Sequence, residues 1–287
     1  MKMRKSARPG PPSIRGKRNR NRPGEETQRP QSSGSVDKIY GLIPVLEAFR
    51  SGSRQIDHII IAEGARHERL RDLLALARAA KVPIHRVPGS YLDRSLGDTS
   101  HQGIVAKVAA ARYADADELI ERLVSQTGNA PSLGLGLDGI EDPRNLGAIL
   151  RTAECAGVQG VFVPQRRAVG LTDIVAKAAA GAMEYVPVAR VTNLVRLIQQ
   201  LKERNIWVVG SAWEASQEYT DWDWTLPVVI LLGNEGTGLH RLVRERCDSL
   251  VRIPLMGRLN SLNVSVAAGV LLYEVLRQRT AAKTQLR

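Results

Sequence analysis

Apolar residues in this chain fall into short runs separated by polar turns, and the runs change character near residue 132. Between residues 37 and 110 two periods are mixed. Residues 43–50 predict a short helix, and residues 68–81 an amphipathic one with Leu70, Leu73, Leu74 and Ala77 on one face. Residues 57–62, 83–87 and 103–108 predict strands, which together make a small α/β layer. A helix over 115–124 follows, and the Gly, Asn and Pro of SQTGNAPS mark a boundary, so 111–131 reads as a linker.

Beyond Leu133 the alternation becomes regular. Strands are predicted over 133–137, 160–163, 185–188, 206–211, 227–232 and 250–254, interleaved with helices over 143–155, 172–182, 193–204, 239–246 and 261–279. The run PVVILL is apolar at every position, as expected for a parallel strand covered by helices on both faces. Residues 132–287 therefore predict a doubly wound domain, and such sheets bind ligands beyond the carboxyl ends of their strands. The loops after Leu137, Leu232 and Pro254 are the places to look for chemistry.

Composition adds a partner. With 287 residues and 43% hydrophobic content the chain has room for two compact domains, and a net charge of +12 favours a polyanion. Residues 1–36 hold ten basic side chains against Glu25 and Glu26, so eight of the twelve excess charges lie there. That stretch has almost no aliphatic residues and reads as a disordered arm. It is either a grip on RNA phosphates or a solvated or targeting extension. It lacks the apolar run of a secretory signal. No run of about 20 apolar residues occurs, which argues against a membrane helix. Cys155 and Cys247 have no partners at zinc-ligand spacing, so the expectation is no metal and two buried thiols in a reducing cytoplasm.

The segment Gly134-Leu-Gly136-Leu-Asp-Gly139 fits the G-x-G-x-x-G pattern, but its glycines sit inside a strand and no acidic residue follows about 20 positions on, so a nicotinamide site is rejected. Three other clusters are stronger. The first, around Asn145, Gly147 and Arg151, opens a helix with Asp142 as N-cap and Pro143 at its first position. Gly147 and Arg151 lie one turn apart, and the missing side chain is read as room for a phosphate or ribose; a surface salt bridge for Arg151 and capping for Asn145 is the alternative. The second, Gly233-Asn-Glu235-Gly-Thr-Gly238, follows the most apolar strand, and its glycines let backbone approach a ligand, while Glu235 read alone is also compatible with a solvated turn. The third, from Ile253 through Asn260, Ser261, Leu262, Asn263 and Ser265, crowds polar groups into the first turn of a helix read as buried.

In this order the clusters resemble the three motifs of the SpoU/TrmH-like RNA 2′-O-methyltransferases of the SPOUT superfamily: NLGAILRTA, LGNEGTGL and IPLMGRLNSLNVSVAA. Ile39-Tyr40-Gly41 with Pro44-Val45, and His101-Gln102-Gly103-Ile104-Val105-Ala106, resemble the ribosomal-protein-like substrate domain of that family's rRNA guanosine branch. The resemblance implies an α/β chain whose C-terminal parallel-sheet methyltransferase domain is tied in a trefoil knot, beside a smaller N-terminal substrate-binding domain. It implies S-adenosylmethionine as methyl donor, contacted by Gly233, Ile253 and Leu262. Asn145, Arg151, Glu235, Ser261 and Asn263 would form the reactive centre. The implied partners are RNA, first 23S rRNA or a large-subunit assembly particle, and a second copy of the chain. A tRNA ribose methyltransferase and a noncatalytic RNA-binding protein are the rival readings.

Overall fold

The computed structural model describes residues 36–96, 101–125 and 131–285. The basic arm expected over 1–36, except Val36, and five residues of the SQTGNAPS boundary lie outside the described residues.

The first lobe runs β1 (Val36–Tyr40), α1 (Leu42–Ser51), β2 (Ile56–Ala62), α2 (Leu70–Ala79), β3 (Ile84–Val87), α3 (Gly89–Leu96) and β4 (Ile104–Ala109). Its sheet has the order β1-β4-β2-β3; β4 is antiparallel to both neighbours and β2 is parallel to β3. Val45, Leu46, Ile59, Ile61, Leu73, Ala77 and Ile104 make its core. Sequence pattern did not predict β1 or α3. In β1 the polar Asp37 and Lys38 interrupt the apolar alternation, and α3 buries Leu92 alone.

The second lobe runs α4 (Ala116–Ser125), β5 (Leu133–Asp138), α5 (Pro143–Cys155), β6 (Gly160–Pro164), α6 (Asp173–Ala179), β7 (Val188–Val191), α7 (Leu194–Lys202), β8 (Trp207–Ser211), β9 (Gln217–Glu218), β10 (Val228–Gly233), α8 (Arg241–Arg246), β11 (Ser249–Arg252) and α9 (Val264–Gln285). All seven strands are parallel, in the order β7-β6-β5-β10-β8-β11-β9. One face packs Leu135, Leu137 and Ile230 against Ile149, Leu150, Leu271 and Val275, and the other packs Phe162, Val229 and Leu231 against Leu197 and Leu201. The expected linker is partly structural, since α4 within it contributes Leu119, Ile120 and Leu123 to the second core. Between β5 and β10 the strand order reverses, leaving a crevice at their carboxyl ends.

Three local readings are corrected. The helix expected over 172–182 stops at Ala179, because Ala180 turns left-handed with φ 50° and closes onto the Lys177 carbonyl. A 3-10 turn over Ala182–Glu184 then moves the expected 185–188 strand to β7. Gly147 provides no open space: a Cβ there would overlap Ala178 and lie 2.8 Å from the Val175 carbonyl, so α6 already fills the gap. The rejected glycine pattern has a packing explanation as well, since side chains at Gly134 and Gly136 would press into Val229 and Leu231 of β10.

The lobes meet along a seam. Arg54 pairs with Glu184, their side chains 7% and 3% exposed, and Ser53 donates to the same carboxylate. Tyr185 donates to Glu47 at 2.6 Å, and Tyr40 to Asp173 at 3.3 Å. Hydrogen bonding to Glu47 pushes the Tyr185 phenol up to about 12.

Two outcomes follow from this packing. Gly147→Ala forces α5 off α6 and lowers unfolding stability by about 1–3 kcal/mol in urea titrations, whereas an unchanged midpoint refutes the close approach. Cys155, expected to be buried, is exposed on α5, whereas burial pushes the Cys247 thiol up to about 12. In a thiol-labelling time course at pH 8, Cys247 therefore stays unreactive in the native protein and reacts once urea unfolds it.

Candidate functional site

The crevice is built from three loops at the carboxyl edge of the large sheet. The β10 strand ends at Gly233, where a Cβ would collide with the Gly238–Leu239 backbone, so the loop folds back on itself only with glycine there. Asn234 holds the fold: its Nδ2 donates to the Gly139 carbonyl at 3.0 Å, its Oδ1 accepts from Gly236 N at 2.8 Å, and its carbonyl accepts from Gly238 N at 2.8 Å. At the end of β5, Asp138 is 5% exposed and accepts two bonds from His240, from the backbone N–H and from Nδ1, both at 2.8 Å. A carboxylate buried against two donors needs both of them.

Helix α5 starts beside this loop, with Asp142 accepting from Arg144 N at 2.8 Å and Pro143 in the first turn. Asn145 then faces Glu235 and donates to its Oε1. Asn263 donates to Asn145 Oδ1 at 3.0 Å and reaches the same Glu235 oxygen at 3.5 Å. Its own Oδ1 accepts from Ser265 N at 2.9 Å and Ser265 Oγ at 2.5 Å, which caps α9. Three segments far apart in sequence are thus tied by two amides and one carboxylate.

A cavity of about 190 Å³ adjoins this junction, lined on one side by the 232–239 loop and on the other by Ile253, Leu255, Ser261 and Leu262. Trp213, 70% exposed, stands at its rim beside Glu214, which pairs with Arg244. The walls combine backbone amides and carbonyls with apolar side chains, a lining suited to a ligand with a flat ring and polar edges. Gly233, Ile253 and Leu262, the expected cofactor contacts, all line this one cavity, as do Glu235 and Ser261.

The expected reactive set divides. Asn145, Glu235 and Asn263 are bonded together and Ser261 lies in the cavity wall, but Arg151 is elsewhere. It is exposed on α5, six residues beyond Asn145 and so turned to another face, and among the described residues it has no hydrogen bond or ion pair. The third cluster is corrected too. Helix α9 begins at Val264, and Asn260, Ser261 and Asn263 stand in an exposed loop before it. The helix read as buried on all sides shows Val266 at 52% and Tyr273 at 55% exposure.

Asp138, Asn234, His240 and Trp213 were not among the predicted site residues. Asp138 had a legible signal, a lone acid closing the all-apolar strand LGLGLD, but the pairing with His240 spans 102 residues and needs the fold.

Comparison with known proteins follows the two lobes. Residues 132–273 match the SpoU rRNA Methylase family, and residues 38–114 match the RNA 2′-O ribose methyltransferase substrate-binding family. A Bacillus subtilis protein named as a TrmH family tRNA/rRNA methyltransferase, YacO, is 43% identical over 85% of this chain and 96% of its own length. An rRNA methyltransferase from Sinorhizobium meliloti, solved with AdoMet bound, superposes with TM-score 0.69 at 26% identity, covering 84% of this chain and 87% of that one. The SpoU methyltransferase AviRb from Streptomyces viridochromogenes, in complex with the cofactor AdoMet, gives TM-score 0.69 at 26% identity over 85% and 90%.

If Asp138 holds the 234–240 loop, Asp138→Ala leaves two donors unsatisfied and costs about 1–3 kcal/mol of unfolding stability. His240→Ala keeps the backbone bond and costs less. Equal losses in chemical denaturation would show that the imidazole, and not the paired contact, matters.

Proposed function

The chain belongs to the SpoU/TrmH family of S-adenosylmethionine-dependent RNA 2′-O-methyltransferases, and we propose that its target is a guanosine ribose in 23S rRNA, methylated by a homodimer in the cytoplasm. The observation that carries the reading is the Asn145–Glu235–Asn263 junction beside the cavity. S-adenosylmethionine, when bound, supplies a sulfonium methyl with a good leaving group. Gly233, Ile253 and Leu262 are the residues to hold it.

What remains for the protein is to hold the ribose hydroxyl in line. Both amides reach Glu235 through Oε1, which leaves Oε2 to accept from an incoming donor. Arg151 is suited to the ribose and its neighbouring phosphate through its fork of donors, so positioning is its role. Ser261 presents its hydroxyl from the cavity wall.

Exposed apolar groups support the dimer. Val266 and Tyr273 share one face of α9, and Met256 and Leu259 of the preceding loop are 98% and 80% exposed. Arg151 lies outside its own chain's junction, which favours service to the partner's site. The reading also takes the C-terminal segment as knotted, the 253–263 loop leading α9 back against α5. The small lobe's match to a substrate-binding family favours rRNA through its resemblance to the rRNA guanosine branch; a tRNA target would keep every reactive residue and change only what this lobe grips.

Incubation with labelled S-adenosylmethionine and RNA from a strain lacking the protein places label on a guanosine ribose of 23S rRNA; label in tRNA instead sinks the rRNA assignment. Mixing and reassociating inactive Arg151→Ala and Glu235→Ala chains restores about a quarter of parental activity if the arginine works across the interface. No recovery means that it serves its own subunit.

A further inference from the structure

The reactive junction accounts for the loops after β5, β10 and β11, but not for the loop after β6. That loop, Gln165-Arg166-Arg167-Ala168-Val169-Gly170-Leu171, lies at the same carboxyl edge of the sheet. It is pinned at three points. Gln165 N donates to the Val191 carbonyl at 2.9 Å, Val169 N to the Ile140 carbonyl at 3.0 Å, and Leu171 N to the Tyr113 hydroxyl at 3.0 Å. The Val169 bond ties it to the loop that leads into α5 and the Asn145 junction.

A loop held this firmly still presents two adjacent arginines outward. Arg166 and Arg167 are exposed, and among the described residues neither makes a hydrogen bond or an ion pair. Glu141 and Asp142 stand on the neighbouring loop, yet among the described residues no carboxylate comes within 4.0 Å of either guanidinium; Asp142 is occupied in capping α5. Arg167 is held at φ 56°, a left-handed conformation that a long side chain rarely adopts. Behind the loop, the Arg190 guanidinium lies 4.0 Å from the Tyr113 ring and 3.5 Å from where a Gly170 side chain would stand, adding a third positive charge with no acidic partner among the described residues.

Neighbouring strands are about 4.8 Å apart, so this edge stands about 10 Å from the β10 edge that carries Glu235. We infer that the 165–171 loop is a phosphate ledge, on which Arg166 and Arg167 grip the RNA backbone beside the target nucleotide. Backbone contacts of this kind fix position without reading sequence. The inference rests on the chain being an RNA methyltransferase and adds where the substrate strand crosses it.

The test uses the full chain carrying Arg166→Gln with Arg167→Asn, asparagine being tolerant of the left-handed backbone. Binding to deproteinised 23S rRNA and to a poly(U) oligonucleotide is measured across a salt series, with S-adenosylhomocysteine binding by calorimetry and methyl transfer in parallel. The ledge predicts about tenfold weaker RNA binding and a log–log salt slope reduced by about 1.4, the value for two single-strand phosphates. KM for RNA rises while kcat and S-adenosylhomocysteine affinity hold. A double Arg→Lys variant retains most of the slope. Unchanged RNA affinity and slope overturn the ledge, and so does a matching loss of S-adenosylhomocysteine binding, which would place the loop's effect at the cavity. Failure of the parental chain to bind S-adenosylhomocysteine would count against the enzyme reading itself.

Discussion

The site exists because two carboxamides and one carboxylate can satisfy each other across three loops. Asn145, Glu235 and Asn263 come from segments separated by 90 and 28 residues, and each is anchored in its own way. Asn145 rides on a capped helix, Glu235 on a loop that glycine allows to fold back, and Asn263 caps the helix that follows it. Since exposed single hydrogen bonds contribute little net stability, the junction depends on this anchoring more than it creates it. The parallel sheet supplies the common platform, with β5 and β10 adjacent at the point where strand order reverses.

A second layer supports that platform from below. The buried Asp138 fixes both the backbone and the ring of His240, and Asn234 stitches the loop to the turn after β5. Neither group has to touch a substrate to matter; together they set where the glycines and Glu235 stand. Gly233 is required for a steric reason, the crossing of its own loop, and not for ligand access alone.

Much of this was legible in the chain itself. Helix α5 was predicted to the residue, and the apolar run of β10 announced a strand covered on both faces. The three motifs named their own loops. Readings failed where a residue's meaning depended on a distant neighbour. Gly147 looked like vacant space until α6 filled it, and Asn263 looked like part of a buried first turn until the helix started one residue later. Helix α9 read as buried because its composition is apolar, yet its Val266 and Tyr273 face outward in a single chain. Periodicity reports that a face must be covered; it does not say by which molecule.

The seam between the lobes has a consequence for how an RNA is chosen. Arg54 and Glu184 form a nearly dry pair, and a charge pair in such a place is better suited to fixing an arrangement than to adding stability. With Tyr185 on Glu47 and Tyr40 on Asp173, it makes the spacing between the small lobe and the crevice a property of folded contacts and not of the connecting chain. The molecule then works as a caliper: an RNA is accepted when the feature held by one jaw and the ribose offered to the other are the right distance apart.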